Sequence, residues 1–319
     1  AVCVCTFRRP DSLDRLLRSL DGQRFEGEPP EVELVVVDND DAGTGRPVVE
    51  RWADRIGWPV RYAVEPERGI PHARNRALDE APDDADVVAM VDDDDRPEAG
   101  WLDRLLAALE RRGADVATGP QIPVYPEGVP AWIARGGFFE GRRRPTGDPV
   151  DNAYTHNVAF RTRVLEDPER RFDVGLAWQG HDDTDFFRRV ELAGHEMVWV
   201  DEAVVLNPVP PQRATARWLL RRFFRFGIGN AVVQRRHDEP LRRRLVRAGK
   251  MAGRLAVSPL RVLARLHEGR AALLRLAVDW VFPIGYLLGW FGFTYEEYRH
   301  HEYPEAGGSP DRIATAADG

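Results

Sequence analysis

The chain has 319 residues, of which 43% are hydrophobic and 30% are charged, and its formal net charge is -7. This composition is that of an ordinary globular protein and excludes a disordered or fibrous one. A chain of this length can bury one large core or two smaller ones. Its two cysteines, Cys3 and Cys5, lie two apart in a predicted strand and point to one face, so we expect no disulfide and a reducing environment. Because that strand lies at the start of the sequence, we expect no secretory leader and a cytoplasmic location.

The charge is distributed unevenly along the chain. Residues 211–272 contain sixteen Arg or Lys and three Asp or Glu, so this segment carries +13 and the remainder is near -20. A basic segment of this kind suits an anionic surface, either a membrane or a nucleic acid.

Strand and helix signals alternate over the first 120 residues. Apolar runs predict strands at 1–6, 32–37, 60–64, 87–91 and 116–118. Apolar residues at helical spacing predict a first helix capped by Asp11 or Ser12 and further helices that begin near Pro71 and near Trp101, with Gly22 and Gly113 just beyond the first and third. This alternation predicts an α/β fold with a mainly parallel sheet and helices on both faces.

The second half is less regular and then becomes helical. Gly, Pro and aromatic residues dominate 120–148, which predicts a long loop; short strands are expected at 157–160, 197–200 and 204–206, and a helix at 182–193. After Pro211 the pattern predicts helices that are basic and amphipathic, and such helices either lie in a membrane interface or pack on the rest of the protein. Asp279 and Pro283 interrupt the apolar stretch 276–293, so we expect a buried or interfacial hairpin there rather than a membrane crossing.

Four consecutive carboxylates, Asp92 to Asp95, follow the predicted strand 87–91. Adjacent carboxylates disfavour one another's ionisation unless a cation or water takes up the charge. The end of a strand in an open α/β sheet is where such folds bind ligands, and oxygen ligands without Cys or His suit Mg²⁺ or Mn²⁺. An acidic run on its own is more often a solvated turn, so this feature needs the motifs around it.

Five motifs stand in order along the chain, most of them at predicted strand ends. They are Cys5-Thr6-Phe7-Arg8-Arg9-Pro10, Val36-Val37-Asp38-Asn39, Gly69-Ile70-Pro71-His72-Ala73-Arg74-Asn75, Val91 to Asp95, and Gly180-His181-Asp182-Asp183-Thr184-Asp185. Together they resemble the family-2 glycosyltransferases of the GT-A fold, over about residues 1–210. The resemblance implies a nucleotide-sugar-binding half at 1–118 and an acceptor-binding half at 119–210, followed by a basic helical region at 211–319.

The resemblance also implies a reaction. It is an inverting single displacement that moves a sugar from a nucleoside-diphosphate-sugar, with UDP the commonest nucleotide in the family, to a hydroxyl of a glycan, a lipid-linked saccharide or a small molecule. Mg²⁺ or Mn²⁺ is the expected cofactor. The expected partners are the donor and the acceptor, with no nucleic acid. Peripheral contact with the inner face of the membrane through residues 211–293 is a further expectation.

Donor-binding roles follow from the resemblance motif by motif. Thr6 and Phe7 are expected at the nucleotide base, where Phe7 replaces the family's usual Tyr and Arg8 its Asn. Asp38 is similar to the acid that accepts a hydrogen bond from the base, although an Asx turn explains it as well. Arg74 is similar to the family's diphosphate-contacting Arg, whose forked guanidinium pairs with phosphate oxygens.

The two acidic motifs carry the metal and the base in this resemblance. Asp92 is expected near the ribose or the metal and Asp94 on the metal, while Asp95 is either a second metal contact or a turn acid. The general base falls on Asp183, with Asp182 as second choice. Helix capping is the alternative explanation of an acid at a helix start, but two or three acids there exceed what a cap needs.

Two rival functions remain open from the sequence. A sugar-nucleotide-forming nucleotidyltransferase shares the sheet and the metal acids, but the chain has no Gly-rich loop with a lysine after strand one, and its single lysine is Lys250. A non-catalytic protein that binds an anionic surface through the Arg-rich segment is the other, but that segment lacks a nucleic-acid-binding motif.

Overall fold

The computed structural model describes residues 1–237 and 241–296. Its strands are β1 (Val2–Thr6), β2 (Leu34–Asp38), β3 (Val60–Val64), β4 (Val87–Met90), β5 (Arg96–Pro97), β6 (Val116–Thr118), β7 (Gln121–Val124), β8 (Val158–Arg161), β9 (Met197–Trp199) and β10 (Val205–Pro208). Its helices are α1 (Pro10–Asp21), α2 (Arg46–Ala53), α3 (Ile70–Glu80), α4 (Trp101–Arg112), α5 (Ala131–Ala134), α6 (Asp182–Leu192), α7 (Ala216–Arg236), α8 (Leu241–Ala264) and α9 (Arg270–Trp290).

The described residues form two compact units. Unit 1 comprises 1–123 and 140–207, and unit 2 comprises 124–139 and 208–296. The finer division into a donor half at 1–118 and an acceptor half at 119–210 stays a prediction.

Unit 1 is built on a seven-stranded sheet in the order β3-β2-β1-β4-β8-β6-β9. The pairs β1–β2, β2–β3, β1–β4 and β6–β9 are parallel, and β8 alone runs antiparallel to both of its neighbours within this sheet. A second sheet has three strands in the order β5-β10-β7. The predicted α/β fold with a mainly parallel sheet is therefore confirmed.

Both faces of the large sheet are covered, because successive side chains in a strand point to opposite faces. Val2 and Val4 of β1 join a core with the apolar stripe of α1 and with α2 and α4, whereas Cys3 joins a core with α3 and α6. This two-sided burial explains why the strands read as continuous apolar runs. Cys3 and Cys5 are free thiols, as expected from their common face.

Several local predictions were wrong. Helix α1 begins at Pro10, and the preceding Arg9 makes no side-chain capping bond, so neither Asp11 nor Ser12 is the cap. Proline fits the first turn of a helix because its missing N–H needs no partner there. Helix α2 was not predicted, because only eight residues carry its pattern. The predicted loop at 120–148 contains β7 and α5.

The predicted hairpin at 276–293 is also wrong, because α9 runs unbroken from Arg270 to Trp290 with Pro283 inside it. Helix α9 packs closely on α7 within unit 2. A Cβ on Gly285 would lie 2.1 Å from the carbonyl oxygen of Phe224, and one on Gly289 would lie 2.7 Å from that of Ile228. Tight packing along this side stabilises the helix on both sides of the proline, although proline removes one backbone hydrogen bond.

Candidate active site

The functional motifs of unit 1 meet at one edge of its large sheet. In the parallel register Thr6 of β1 lies opposite Asp38 of β2, and Cys3 of β1 lies opposite Met90 at the end of β4. The carboxyl ends of these three strands are therefore neighbours, and the acidic run begins directly after β4. Ligand sites of open α/β sheets lie at this edge.

Two carboxylates of the first acidic group, Asp93 and Asp95, are buried and held by partners in the protein. Asp93 accepts a hydrogen bond from the hydroxyl of Thr6 at 2.8 Å and forms an ion pair with Arg9 at 2.9 Å. Asp95 accepts hydrogen bonds from the side-chain amides of Gln121 at 2.8 Å and Asn207 at 2.6 Å. These two residues fix the backbone of the acidic run.

The other two carboxylates, Asp92 and Asp94, face solvent in part. The side chain of Asp92 is 42% exposed, and that of Asp94 is 18% exposed with an ion pair to Arg9 at 3.1 Å. One carboxylate oxygen from each of Asp92, Asp94 and Asp95 lies within 4.8 Å of the others. This all-oxygen set fits a hard divalent cation such as Mg²⁺ or Mn²⁺.

The surroundings of these acids also favour a cation. Desolvation by the protein, together with Asp94, Asp93 and Asp183, raises the pKa of Asp92 to about 7 although part of its side chain faces solvent, while Arg74 acts in the opposite direction. Burial and the neighbouring carboxylates likewise raise the pKa of Asp95. A group of acids that resist ionisation together is one that an added positive charge would stabilise.

The second acidic group begins α6. His181 and Gly180 before it have positive φ angles of 67° and 73°, which turn the chain sharply into the helix. Asp182 is buried, and Asp183 is partly exposed and accepts a hydrogen bond from the backbone N–H of Thr184 at 2.6 Å. Asp183 is thus the carboxylate of the first turn of α6 that solvent can reach.

Arg74 joins the two acidic groups. Its guanidinium forms an ion pair with Asp182 at 2.5 Å and lies 3.8 Å from Asp92, and it also lies over the ring of Phe172. Burial opposes the charged form of Arg74, but the carboxylates of Asp182, Asp183 and Asp92 outweigh that effect and raise its pKa. The acids after β4 and those at the start of α6 therefore share one buried guanidinium, that of Arg74.

The predicted base-binding residues have clear positions but their roles stay predictions. Phe7 is partly buried, and the guanidinium groups of Arg8 and Arg68 lie 5.0 and 4.8 Å from its ring centroid. Asp38 is fully buried and accepts hydrogen bonds from the backbone N–H of Gly45 at 2.6 Å and the hydroxyl of Tyr62 at 2.9 Å. It also accepts one from the N–H of Asp40, which is the Asx turn anticipated as the alternative.

The structure adds functional residues that the sequence did not single out. Arg9 contacts both Asp93 and Asp94, and Gln121 and Asn207 position Asp95. The motif that contains Arg9 was recognised, but its pairing with acids 84 residues away left no local signal. No sequence pattern marked Gln121 or Asn207, because each is a single amide residue on a strand, β7 or β10, that only the folded structure places beside Asp95.

An aromatic pair with one exposed member is also present in unit 1, immediately before β8. Tyr154 is 45% exposed and its ring stacks on that of His156 at a centroid distance of 5.5 Å. Because β8 runs antiparallel to β4, with Val158 opposite Met90, this pair precedes β8 at the edge of the sheet where β4 ends. The charge of Asp183 contributes to a raised pKa of Tyr154, after burial.

Comparison with known proteins agrees with this architecture. The mannosyltransferase PcManGT from Pyrobaculum calidifontis, solved with GDP-Man and Mn²⁺, superimposes with a TM-score of 0.63 at 18% identity over 91% of this chain and 86% of that one. TarS of S. aureus superimposes with a TM-score of 0.52 at 20% identity over 91% of this chain, which spans about half (54%) of the TarS structure. The fold is that of the GT-A glycosyltransferases.

Sequence relatives narrow the assignment. Residues 1–167 match the family model described as glycosyl transferase family 2. The succinoglycan biosynthesis protein ExoM of Rhizobium meliloti is 33% identical over 236 residues, which cover 73% of this chain and 75% of ExoM. A glucosyl-dolichyl phosphate glucuronosyltransferase of Haloferax volcanii is 26% identical over 73% of this chain and 76% of its own length. The chain therefore belongs to glycosyl transferase family 2, and it is an enzyme that transfers sugars.

Proposed function

We propose that this glycosyltransferase is an inverting enzyme that uses a nucleoside-diphosphate-sugar and a divalent cation, and that its acceptor is a hydroxyl of a saccharide or lipid-linked saccharide. The observation that carries the proposal is the position of Arg74, which contacts Asp182 and lies next to Asp92. A cationic fork between two groups of acids suits a diphosphate on one side and an acceptor hydroxyl on the other.

The first acidic group would hold the cation. Asp92 and Asp94 are partly exposed, and Asp95 is fixed by two amides with one oxygen within reach of the others, so the three form a ready set of ligands. A bound cation would neutralise charge on the departing diphosphate. The fit is equal for Mg²⁺ and Mn²⁺, since both take carboxylate oxygens.

Asp183 is the proposed general base. It would take the proton of the acceptor hydroxyl as that oxygen attacks the anomeric carbon on the face opposite the diphosphate, which inverts the configuration. Asp182, the second choice from the sequence, is buried and engaged with Arg74, so its proposed role is to position Arg74. Arg74 has five N–H donors and can contact phosphate oxygens while it keeps the bond to Asp182.

The names of two relatives bear on the acceptor. ExoM is named for the biosynthesis of a polysaccharide, and the Haloferax relative is named for transfer to a sugar already carried on a dolichyl phosphate. Those names favour a saccharide, free or lipid-linked, over an unrelated small molecule. The stacked pair Tyr154 and His156 would offer an aromatic face to such a sugar.

The donor nucleotide is proposed as UDP, with GDP as the first alternative. TarS has been solved with UDP-GlcNAc and PcManGT with GDP-Man, so both nucleotides occur on this fold. Cytoplasmic location and peripheral contact of residues 211–293 with the inner face of a membrane belong to the same proposal.

A thermal-shift screen of nucleoside diphosphates with and without Mn²⁺ tests the donor and the cation together. A nucleotide present at about 100 times its Kd stabilises the folded state by about 2.7 kcal/mol. We expect one nucleotide to raise Tm only when Mn²⁺ or Mg²⁺ is present, and its sugar conjugate to release that nucleotide when acceptor is added. Release of pyrophosphate from a nucleoside triphosphate and a sugar phosphate would instead support the nucleotidyltransferase.

A further inference from the structure

Helix α8 of unit 2 has an unusual composition. Its 24 residues contain seven Arg or Lys and no Asp or Glu. It is followed by α9 (Arg270–Trp290), which packs beside it. The family match ends at residue 167, and α8 lies within residues 211–293, so the inference below rests on the membrane contact proposed above for that region and assigns it to one surface.

One side of α8 packs on α9. Met251, Leu255, Ser258 and Val262 follow helical spacing and are buried or half-buried. The indole N–H of Trp280 donates to the hydroxyl of Ser258 at 3.2 Å. Arg254 contributes an ion pair with the buried Asp279. These contacts hold α8 against α9.

The opposite side of α8 is apolar and faces solvent. Leu245, Leu260 and Leu263 are 63%, 64% and 62% exposed, and Val246 and Val257 are also exposed. At 100° per residue these five side chains fall within an arc of about 120°. Soluble proteins seldom leave a contiguous apolar surface of this kind uncovered.

A line of cations borders the apolar arc. Arg243, Lys250 and Arg261 follow one another at spacings of seven and eleven residues, which places them along one flank of the helix, where Arg254 is already paired with Asp279. An apolar face edged by cations is the pattern of a helix that lies in the plane of a membrane interface. Anionic headgroups attract such cations, while the leucines enter the boundary with the acyl chains.

Helix α9 has exposed apolar residues of its own. Leu273, Trp280 and Leu287 repeat every seven residues and are exposed. Among the described residues α9 is the one helix long and apolar enough to cross a membrane, yet 39% of its most apolar window is buried in the protein. Tryptophan on such a face is typical of the headgroup region. Interfacial contact therefore fits α9 better than a crossing does.

We propose that the exposed apolar face of α8, defined by Leu245, Val246, Val257, Leu260 and Leu263, docks the enzyme onto an anionic lipid bilayer. Charge complementarity selects this occupant. A second copy of the chain would bring the same cations together, which is unfavourable. A nucleic acid would satisfy the cations but leave the leucines in water.

Flotation of the full-length protein with lipid vesicles tests the proposal. We expect binding to vesicles of phosphatidylcholine with about 30% phosphatidylglycerol and weak binding to phosphatidylcholine alone, with salt weakening the former. The double variant Leu260→Asp, Leu263→Asp should lose about tenfold or more in vesicle affinity. Lys250→Gln with Arg261→Gln should lose about tenfold on anionic vesicles only.

Leu192→Asp is the matched control, because Leu192 is a 52% exposed leucine of unit 1 and should not affect binding. If the Asp variants do not fold, a polarity-sensitive fluorophore on Leu260→Cys replaces them, with Leu192→Cys as its control. Its emission should shift to the blue when anionic vesicles are added. Unchanged binding by the folded Asp variants, no shift at position 260, or loss of a dimer without loss of vesicle binding would overturn the proposal.

Discussion

The two acidic groups of unit 1 are built in the same way although they lie on different elements. After β4, Asp93 and Asp95 are buried against Arg9, Thr6 and amides, while Asp92 and Asp94 face solvent in part. At the start of α6, Asp182 is buried against Arg74, while Asp183 is partly exposed.

In both groups the buried carboxylates and the partly exposed carboxylates have different surroundings. A buried carboxylate with a partner fixes the local backbone, because breaking such a pair leaves a charge without solvent. An exposed carboxylate beside it is then held in place yet can still contact a ligand. The two groups differ in how many carboxylates they bring together. Three carboxylate oxygens converge after β4, which suits a divalent cation, whereas α6 presents one accessible carboxylate, which suits a general base.

Replacement of the proposed base should have the largest effect. We expect Asp183→Asn to reduce sugar transfer by about 10² to 10⁴-fold, because proton transfer contributes that much, and to leave the Kd for the donor nucleotide unchanged. Initial rates and calorimetric titration measure the two quantities. Asp103→Asn, which changes a first-turn acid of α4, is the control. Transfer at the normal rate in Asp183→Asn would show that the base lies elsewhere.

Replacement of an exposed acid in the first group should act on binding. Asp94→Asn removes one carboxylate of the converging set, and we expect nucleotide affinity in Mn²⁺ to fall by about 100-fold. Affinity in EDTA should not change, because the lost contribution depends on the cation. Titration calorimetry in the two buffers makes the comparison. An equal loss in EDTA would mean that Asp94 contacts the nucleotide directly.

Replacement of a buried partner should act on stability. Arg74→Met and Asp182→Asn should each lower the free energy of unfolding by about 3 to 5 kcal/mol, because each leaves the other charged or polar group buried. The double variant should lose less than the sum, and urea denaturation measures the coupling.

The same helix supplies a control for this cycle. Arg76 and Glu80 of α3 form an ion pair four residues apart, with Arg76 45% exposed. Arg76→Met with Glu80→Gln should show a coupling of only about 0.3 to 0.5 kcal/mol. Equal coupling in the two pairs would contradict the anchoring role of Asp182.

The smallest expected effect is at Arg9. Arg9→Gln should lower the free energy of unfolding by about 1 to 3 kcal/mol, since Asp93 keeps its hydrogen bond from Thr6 but loses its cation. Because a divalent cation can replace the lost positive charge, Mn²⁺ should raise the Tm of this variant more than that of the unchanged protein. Equal rises in Tm would show that Arg9 does not balance the charge of this group.

Much of the fold could be predicted from the sequence. The strands of unit 1 are buried on both faces, so each is an apolar run, and α1 and α4 each bury one apolar stripe that ends at a glycine. The predictions from the sequence were wrong where tertiary packing overrides the local pattern. Helix α9 continues through Pro283 because α7 packs along it, and a single sequence gives no sign of that contact.

The site was predictable to the level of motifs but not of partners. The sequence predicted acids at the end of β4 and at the start of α6. It could not show that Arg74 pairs with Asp182, because the pair is separated by 108 residues. Nor could it show that Asp38 is enclosed by Gly45 and Tyr62, since its turn and its proposed contact with a base produce the same local pattern.

Gly69 has a consequence for the tolerance of this enzyme to change. It precedes α3 with a φ of 135°, its N–H donates to Asn39, and a Cβ there would lie 2.7 Å from that of Ala177. Any side chain would be strained and would push away the turn that leads into α6. The spacing between the proposed cation ligands and the proposed base thus depends on the absence of a side chain at this position, and saturation mutagenesis should find codon 69 nearly as intolerant as the acids themselves.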